Sequence, residues 1–290
     1  MHFLSTRAIS KSFIDRVLRQ ARLFKYEPIA RTNLHGKVMA NAFFEASTRT
    51  SMSFETAMKR LGGEVINFRA DHSSIQKGET ILDTMKTLEC YSDVMVLRHP
   101  DPDIVGHISR NVKVPIINGG NGASEHPTQA LLDLFTIKES VNIDDRETKL
   151  LFVGDIKHSR TIHSLEYILR KFYSVDIHYF SYPNCDDSEY MNGLNTISSF
   201  DRIGEFDVVY CTRLQKERFK NSDLDINHYI LDERDVDKMK ENAIIMHPLP
   251  RNEEIAVSVD RDKRAKYFEQ MENGVYVRMA LLCEMLLEAY

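Results

Sequence analysis

The chain has 290 residues, of which 42% are hydrophobic and 28% charged, and its formal net charge is −5. This length favours two domains or one large one. The mild acidity argues against wholesale binding of nucleic acid or of an anionic membrane, so any bound anion must be held by local positive charge.

The cysteines and the apolar segments indicate the compartment. The four cysteines lie far apart without a Cys-x-x-Cys pair, which is typical of a reducing cytosol and argues against a cysteine-rich zinc site. The first residues lack the pattern of a signal peptide, and no apolar segment approaches the ~20 residues that span a bilayer. The sequence therefore predicts a soluble, cytoplasmic protein without membrane partners.

Short β-rich runs alternate with helical stretches along the first half of the chain. A strand over 38–44 leads into a helix that ends at Gly62-Gly63, with Phe54, Ala57, Met58 and Leu61 on one face. The remaining predicted elements are strands over 64–68, 94–97 and 114–118, a helix over 80–90, a glycine-rich loop over 119–122, and a helix from Pro127 to about residue 138.

The pattern restarts after the polar stretch 142–149. Strands are predicted over 150–154, 175–180, 207–211 and 243–247, and helices over 161–172 and about 275–288. This alternation predicts an α/β fold with two similar-sized domains, each a parallel sheet flanked by helices. We expect domains over 1–134 and 135–274, with the last helix, to residue 290, packing back on the first. Ligands in such folds bind beyond the carboxyl ends of the strands.

The segment Ser47-Thr48-Arg49-Thr50 follows the first of these strands and begins a helix. Hydroxyl side chains there cap the helix while backbone N–H groups point at an anion, and a guanidinium adds a fork suited to phosphate. A plain helix cap with a surface arginine is the simpler interpretation. Two hydroxyls and an arginine within one turn make an anion site at least as well supported.

Two glycine-containing loops fail the tests for nucleotide sites. The segment around Lys77 is not a P-loop, because Gly78 follows the lysine and the preceding glycines are missing. A Gly-x-Gly-x-x-Gly pattern from Gly120 fails because position 125 is glutamate. The second loop instead delivers His126 and Gln129 to the start of a helix.

Strand-end loops elsewhere carry Arg98, Arg160, Arg213 and the stiff segment His247-Pro248-Leu249-Pro250. Each alone is compatible with an ordinary surface loop. Together they supply arginines, histidines and hydroxyls, but no metal-type cluster and no hydroxyl–histidine–acid triad. This inventory suits two small anionic substrates better than metal-assisted hydrolysis or covalent catalysis.

Three motifs carry a resemblance to a known family. Phe-Phe-Glu-Ala-Ser-Thr-Arg-Thr at 43–50, His-Pro-Thr-Gln at 126–129 and His-Pro-Leu-Pro-Arg at 247–251 resemble the signatures of aspartate carbamoyltransferases. The first two indicate only the wider carbamoyltransferase family. Ornithine enzymes carry a cysteine at the position of Pro248, and Thr-Arg-Leu-Gln-Lys-Glu-Arg at 212–218 resembles the aspartate-binding loop.

The resemblance implies a site in the cleft between the two domains and a role for each matching residue. It implies transfer of the carbamoyl group of carbamoyl phosphate to L-aspartate, the committed step of de novo pyrimidine biosynthesis, without a covalent intermediate. The implied contacts are Ser47, Thr48, Arg49 and Thr50 to the phosphate; Thr50, Arg98 and His126 to the carbonyl oxygen; Gln129 to the carbamoyl nitrogen; the Leu249 and Pro250 backbone to the carbamoyl group and amine; Arg160 to the α-carboxylate; and Arg213 and Gln215 to the β-carboxylate.

The resemblance also implies an assembly. Ser73 and Lys77 match residues that enter the active site of the neighbouring subunit, which implies a homotrimer with shared sites in which Lys77 also contacts aspartate and takes part in catalysis. No metal and no organic cofactor are implied. A separate regulatory chain stays open. Ser51, His158 and Asn252-Glu253 depart from the residues common in the family, but none of them replaces a residue with an implied catalytic role.

Three alternatives remain. A carbamoyltransferase with another amine acceptor is disfavoured by Arg213, Gln215 and Pro248. A non-enzymatic relative is disfavoured because every implied phosphate and carbamoyl contact is present. A nucleotide-binding oxidoreductase is disfavoured by the failed glycine pattern.

Overall fold

The structure is a computed structural model that describes residues 1–27, 33–70, 73–182, 185, 195–213 and 229–287. Its helices and strands confirm the predicted α/β fold with parallel sheets. In chain order they are α1 (Lys11–Tyr26), β1 (Val38–Phe43), α2 (Thr48–Arg60), β2 (Glu64–Arg69), α3 (Ile81–Glu89), β3 (Val94–His99), α4 (Ile104–Ser109), β4 (Ile116–Asn121), α5 (Pro127–Ser140), β5 (Thr148–Gly154), α6 (Arg160–Phe172), β6 (Val175–Ser181), β7 (Asn195–Thr196), β8 (Val208–Cys211), α7 (Glu233–Val236), β9 (Ile244–Met246) and α8 (Tyr267–Leu287).

Residue contacts divide the chain into two compact units. Unit 1 comprises Met1–Leu132 and Glu272–Tyr290, and unit 2 comprises Asp133–Met271. The sheet of unit 1 has the strand order β2-β1-β3-β4, with parallel pairing throughout. Its central strands are apolar and buried, as expected for parallel strands covered on both faces. The predicted apolar face of α2 is confirmed, because Phe54, Ala57, Met58 and Leu61 are all fully buried.

The sheet of unit 2 has the order β7-β6-β5-β8-β9, also parallel. β5 lies between β6 and β8, which explains why its residues 150–153 are all apolar. Leu151 and Val153 of β5 share a core with Val209 of β8 and Ile245 of β9.

Parallel pairing places the carboxyl ends of neighbouring strands at one edge of each sheet. In unit 1 Arg98 lies near the carboxyl end of β3, and the adjacent strands β1 and β4 lead into the segments that carry Ser47 and His126. In unit 2 the adjacent strands β5, β8 and β9 lead into Arg160, Arg213 and the segment 247–250. The predicted site residues named here therefore lie at or after the carboxyl ends of strands that are neighbours in the sheet of their unit.

Two glycines predicted to lie in a loop belong to a strand instead. β4 extends to Asn121, so Gly119 and Gly120 are buried strand residues, and the predicted strand 114–118 was too short. The reason is tertiary packing. A Cβ at Gly119 would lie 3.2 Å from Cγ1 of Val96 and 3.4 Å from Cβ of Arg98, so only glycine fits easily beside β3 at this position.

The final helix was predicted to begin near residue 275, and this start is wrong. α8 begins at Tyr267 and runs through Gly274, the residue just before the predicted start. Gly274 is a packing position, since a Cβ there would lie 3.1 Å from Cδ2 of Leu132. Residues 288–290 lie outside the described part of the chain. No helix in the described ranges combines the length and the apolar character that crossing a membrane requires.

Gly154 ends β5 in a conformation that other residues avoid. Its φ is +120°, and a Cβ would lie 2.2 Å from the carbonyl oxygen of Thr212. We expect Gly154→Ala to lower the free energy of unfolding by about 3 kcal/mol or more, because backbone strain and overlap add. Urea denaturation followed by circular dichroism measures this, since the chain has no tryptophan.

Gly106→Ala is the matched control. Gly106 lies inside α4 and a Cβ would meet nothing closer than Arg110 Nη1 at 3.7 Å. Alanine there should raise the free energy of unfolding by roughly 0.5–1 kcal/mol. Equal effects of the two substitutions would contradict the role given to Gly154.

Candidate active site

The first turn of α2 has the features of an anion-binding helix end. Ser47 is the N-cap residue, with φ −156° and ψ 95°, and its side chain makes no capping hydrogen bond to the helix. The hydroxyl of Ser47 and the first N–H groups of α2 are therefore not hydrogen-bonded to each other. Thr48 and Arg49 are exposed on this turn, whereas Thr50 is buried. The turn combines hydroxyls, backbone donors and a guanidinium.

Thr50 and His126 come together in the structure. The Oγ1 atom of Thr50 lies 3.4 Å from Nε2 of His126, and both residues are about 5% exposed or less. His126 precedes α5, and its carbonyl oxygen accepts the N–H groups of Gln129 and Ala130 at 3.0 and 3.1 Å. The same turn therefore fixes His126 and the buried Gln129. Two of the three predicted donors to a carbonyl oxygen are neighbours.

Arg98 lies near the carboxyl end of β3, beside β1 and β4. Its Nη2 atom pairs with Oε1 of Glu45 at 2.7 Å, and Nη1 donates to the carbonyl oxygen of Gly119 at 3.4 Å. The guanidinium is only 13% exposed. A largely buried guanidinium held by two partners is pre-oriented, so little side-chain entropy is lost when it binds an anion.

Ser73 and Lys77 form a small exposed structure before α3. The hydroxyl of Ser73 donates to the carbonyl oxygen of Ala70 at 2.9 Å and accepts the N–H of Ile75 at 3.4 Å. A single 3-10 turn follows, and Gly78 ends it with φ +93°. Lys77 is exposed at the end of that turn. The segment presents a cation on the surface.

Arg160 is the first residue of α6, and the turn before it is fixed by a buried acid. Asp155 is fully buried, and its Oδ1 accepts the backbone N–H of His158 at 3.1 Å and lies 2.9 Å from the Nδ1 atom of that residue. Ser159 precedes the helix and its side chain makes no capping hydrogen bond. Arg160, which is predicted to bind the α-carboxylate of aspartate, therefore lies at a helix N-terminus, where anions are stabilised.

Arg213 follows β8 directly. The preceding Thr212 is buried, donates its N–H to the carbonyl oxygen of Val153 at 2.8 Å and accepts the hydroxyl of Tyr182 at its own carbonyl oxygen at 3.2 Å. The backbone leading to Arg213 is therefore anchored to β5. The predicted partner Gln215 lies outside the described residues.

The segment His247-Pro248-Leu249-Pro250 follows β9. Leu249 has φ +51°, and the Leu249–Pro250 peptide bond is cis. A left-handed conformation is uncommon for a side chain of this size and persists only where the surroundings enforce it. The N–H of Leu249 donates to Nδ1 of His247 at 2.8 Å.

Two buried thiols, those of Cys211 and Cys283, are poorly suited to nucleophilic catalysis. Burial raises the pKa of Cys283 to about 12, and burial with the nearby Glu254 charge raises that of Cys211 well above its usual range. Neither thiol is ionised near neutral pH, and only the thiolate is a good nucleophile.

Sequence reasoning missed two acids that the structure places beside predicted site residues. Glu45 pairs with Arg98, and Glu254 accepts a hydrogen bond from His247. Glu45 stands inside the motif before Ser47, and Glu254 is the second of two adjacent acids and directly precedes the apolar run Ile255-Ala256-Val257. The available signals were an acid next to a cationic motif and an acid directly before an apolar run.

Comparison with known proteins agrees with this arrangement. The model of the family described as aspartate/ornithine carbamoyltransferase, carbamoyl-P binding domain, matches residues 1–139. The corresponding Asp/Orn binding domain matches residues 146–285.

Known proteins are similar to this chain over nearly all of its length. The aspartate carbamoyltransferase catalytic subunit of Methanothrix thermoacetophila is 44% identical, with 99% of this chain and 98% of that protein covered. The multifunctional protein CAD of Squalus acanthias is also 44% identical over 98% of this chain, but the chain spans only 13% of that protein. The crystal structure of Trypanosoma cruzi aspartate transcarbamoylase with N-(phosphonacetyl)-L-aspartic acid is 36% identical, with a TM-score of 0.91 over 98% of this chain and 95% of that one.

The two family domains together match almost the whole chain, and the relatives are similar over the same length. The chain therefore belongs to the aspartate/ornithine carbamoyltransferase family, among the aspartate carbamoyltransferase catalytic chains.

Proposed function

We propose that this chain transfers the carbamoyl group of carbamoyl phosphate to the amine of L-aspartate, giving N-carbamoyl-L-aspartate and phosphate, the committed step of de novo pyrimidine biosynthesis. The observation that carries the proposal is the placement of Thr50, Arg98 and His126 at or after the carboxyl ends of three neighbouring parallel strands, with Thr50 and His126 3.4 Å apart. In this proposal unit 1 binds carbamoyl phosphate and unit 2 binds aspartate.

The proposed reaction depends on hydrogen-bond donors to the carbonyl oxygen more than on a general base from the protein. The aspartate amine attacks the carbamoyl carbon, and negative charge grows on the carbonyl oxygen, where Thr50, Arg98 and His126 stabilise it. Holding both substrates at attack distance supplies about 7–11 kcal/mol in favourable cases. The departing phosphate accepts the amine proton, so carbamoyl transfer proceeds directly, without a covalent intermediate.

The phosphate and the acceptor are assigned to different residues. Ser47, Thr48, Arg49 and Thr50 bind the phosphate, and Gln129 binds the carbamoyl nitrogen. The Leu249 and Pro250 backbone contacts the carbamoyl group and the amine. Arg160 binds the α-carboxylate of aspartate, while Arg213 and Gln215 bind its β-carboxylate. Their supporting observations are the motif matches and, for Ser47 and Arg160, their positions at helix starts.

The proposal includes a cytoplasmic homotrimer, alone or joined to a regulatory chain. Ser73 and Lys77 are assigned to the neighbouring subunit's site, where Lys77 contacts aspartate and takes part in catalysis. The exposure of Lys77 on a turn that ends at Gly78 supports this assignment. The four widely spaced cysteines support the compartment.

A product assay tests the reaction and the acceptor. The purified chain receives carbamoyl phosphate with L-aspartate or with L-ornithine, and we expect carbamoyl aspartate alone to form. The Arg98→Ala chain serves as the blank for uncatalysed carbamoylation. Product with ornithine only would keep the phosphate assignments and overturn those of Arg160 and Arg213. Product with neither would overturn the proposed function.

A further inference from the structure

The loop after β9 holds Leu249 in its unusual conformation with few backbone donors. Pro248 and Pro250 have no N–H, so Leu249 supplies the only backbone donor among these three residues. That N–H donates to the Nδ1 atom of His247 at 2.8 Å. The imidazole therefore closes the loop on itself.

This contact defines the protonation of His247. A backbone N–H can only donate, so Nδ1 accepts and carries no hydrogen. The remaining ring hydrogen lies on Nε2, which donates to Oε1 of Glu254 at 2.8 Å. The two side chains are 1% and 2% exposed, so water does not compete for either contact. The geometry requires one neutral tautomer of the ring.

Glu254 is the acceptor that selects this tautomer. Burial alone would raise the pKa of its carboxyl, but the pKa is lowered, with contributions from the hydrogen bond of His247 and from backbone N–H groups that include that of Asn252. The N–H of Asn252 lies 3.1 Å from both carboxylate oxygens. One buried carboxylate thus contacts the loop through the ring of His247 and directly at Asn252.

His247 is anchored on its other side to regular structure. Its backbone N–H donates to Oε1 of Gln270 in α8 at 3.0 Å. The Nε2 group of Gln270 donates to Oδ1 of Asp133 at 2.6 Å, and the hydroxyl of Tyr210 in β8 donates to Oδ2 of Asp133 at 2.8 Å. Hydrogen bonds thus lead from Tyr210 in β8 to Glu254 through buried side chains.

We propose that His247 and Glu254 are positioning residues for carbamoyl transfer, which hold the backbone of Leu249 and Pro250 where it meets the carbamoyl group and the attacking amine. This inference rests on the proposed function. Neither side chain contacts substrate in this scheme; Glu254 fixes the tautomer of His247, and His247 fixes the loop. Their loss therefore lowers the rate of the chemical step more than it weakens substrate binding.

Glu254→Gln is the first test, with Glu253→Gln as its matched control. Glutamine has nearly the same shape, but it places an NH₂ group where a carboxylate oxygen faces the N–H of Asn252. We expect kcat to fall by roughly 10- to 100-fold, since a displacement of about 1 Å can cost 100-fold. The KM values for both substrates should change much less. Glu253 is exposed, and its exchange should leave both constants unchanged.

A pair of substitutions at His247 separates its two contacts. Asparagine keeps an acceptor near the position of Nδ1, whereas glutamine keeps a donor near the position of Nε2. If the hydrogen bond from the Leu249 N–H to Nδ1 positions the loop, His247→Asn should retain a severalfold higher kcat than His247→Gln. If the ring only fills space, the larger glutamine should be the milder change.

The outcomes decide between positioning and stability alone. Unchanged kcat in Glu254→Gln, unfolding of that variant at the assay temperature by circular dichroism, or the reverse order at His247 would each overturn the inference. The unmodified chain assayed in parallel separates this from failure of the proposed function, which would show as absent product before any substitution.

Discussion

Replacing Arg98 by alanine should lower kcat by about 1000-fold or more. Loss of one preorganised donor to a developing oxyanion typically costs 100- to 1000-fold, and in the proposed site this guanidinium also meets a substrate with a doubly charged phosphate. Arg98 is mostly buried at the end of β3 and already held by Glu45 and the carbonyl oxygen of Gly119. The measurement is steady-state carbamoyl aspartate formation with saturating substrates.

The control is Arg110→Ala, because Arg110 is an exposed arginine at the end of α4 in the same unit. It should retain the rate of the unmodified chain. Arg98→Lys should recover little, because an ammonium group cannot reproduce the planar fork. A near-normal rate in folded Arg98→Ala would show that the oxyanion is stabilised elsewhere and would reject the site.

Two inactive variants should regain activity when their subunits exchange. Arg49→Ala removes the proposed phosphate contact, and Lys77→Ala removes the cation assigned to the neighbouring site. In a mixed trimer, a site is intact when one chain supplies Arg49 and its neighbour supplies Lys77. Random assembly from equal amounts gives this arrangement in about a quarter of sites, as a cyclic trimer has one neighbour per site. The measurement is the rate after mixing and exchange.

The control for exchange is a mixture of Arg49→Ala with Arg98→Ala. Both changes lie in the same chain's half of the proposed site, so no mixed site regains all of its residues. Recovery in this control would show that activity returns for another reason. With exchange confirmed by differently tagged subunits, no recovery in the Arg49 and Lys77 mixture would reject sites shared between neighbours.

The sequence predicted the strands well where burial is complete. The runs over 94–97 and 150–154 are apolar on every residue but the final glycine, and parallel strands covered on both faces require this. β3 and β5 are confirmed there, with small extensions at their ends. The α2 face was equally clear, because its apolar residues recur at helical spacing.

The sequence failed where a local signal conflicted with packing. Gly119 lies in a glycine-rich run that is typical of a loop, and Gly274 is a residue type that is unfavourable inside a helix. Each nevertheless occupies a position where a neighbouring side chain leaves no room for a Cβ. Such positions depend on residues distant in sequence, such as Val96 and Leu132. α1 was a different failure, because Phe13, Ile14, Val17, Leu18, Ala21 and Phe24 show a buried helical spacing that was not used.

The contacts between distant residues were also beyond the sequence. Motifs named Thr50, Arg98 and His126 as partners in one site, but the pairing of Arg98 with Glu45 depends on register and side-chain rotamer. The closure of the 247–250 segment by Glu254 depends on a loop conformation that no periodicity encodes. Residue types could be assigned from pattern, whereas their mutual orientation required coordinates.

The discontinuity of unit 1 sets an order of events during synthesis. Domains usually fold from the N-terminus as they leave the ribosome. Here α8 supplies unit 1 with buried side chains such as Val277 and Leu281. It also supplies the ion pair of Glu284 with Arg16 and the guanidinium of Arg278 over the ring of Phe54. All of these α8 residues are translated after unit 2. Unit 2 is continuous and complete by Met271. Most of unit 1 is therefore translated first, but its core is completed last. Until α8 has been made, the apolar residues of unit 1 must be protected from aggregation.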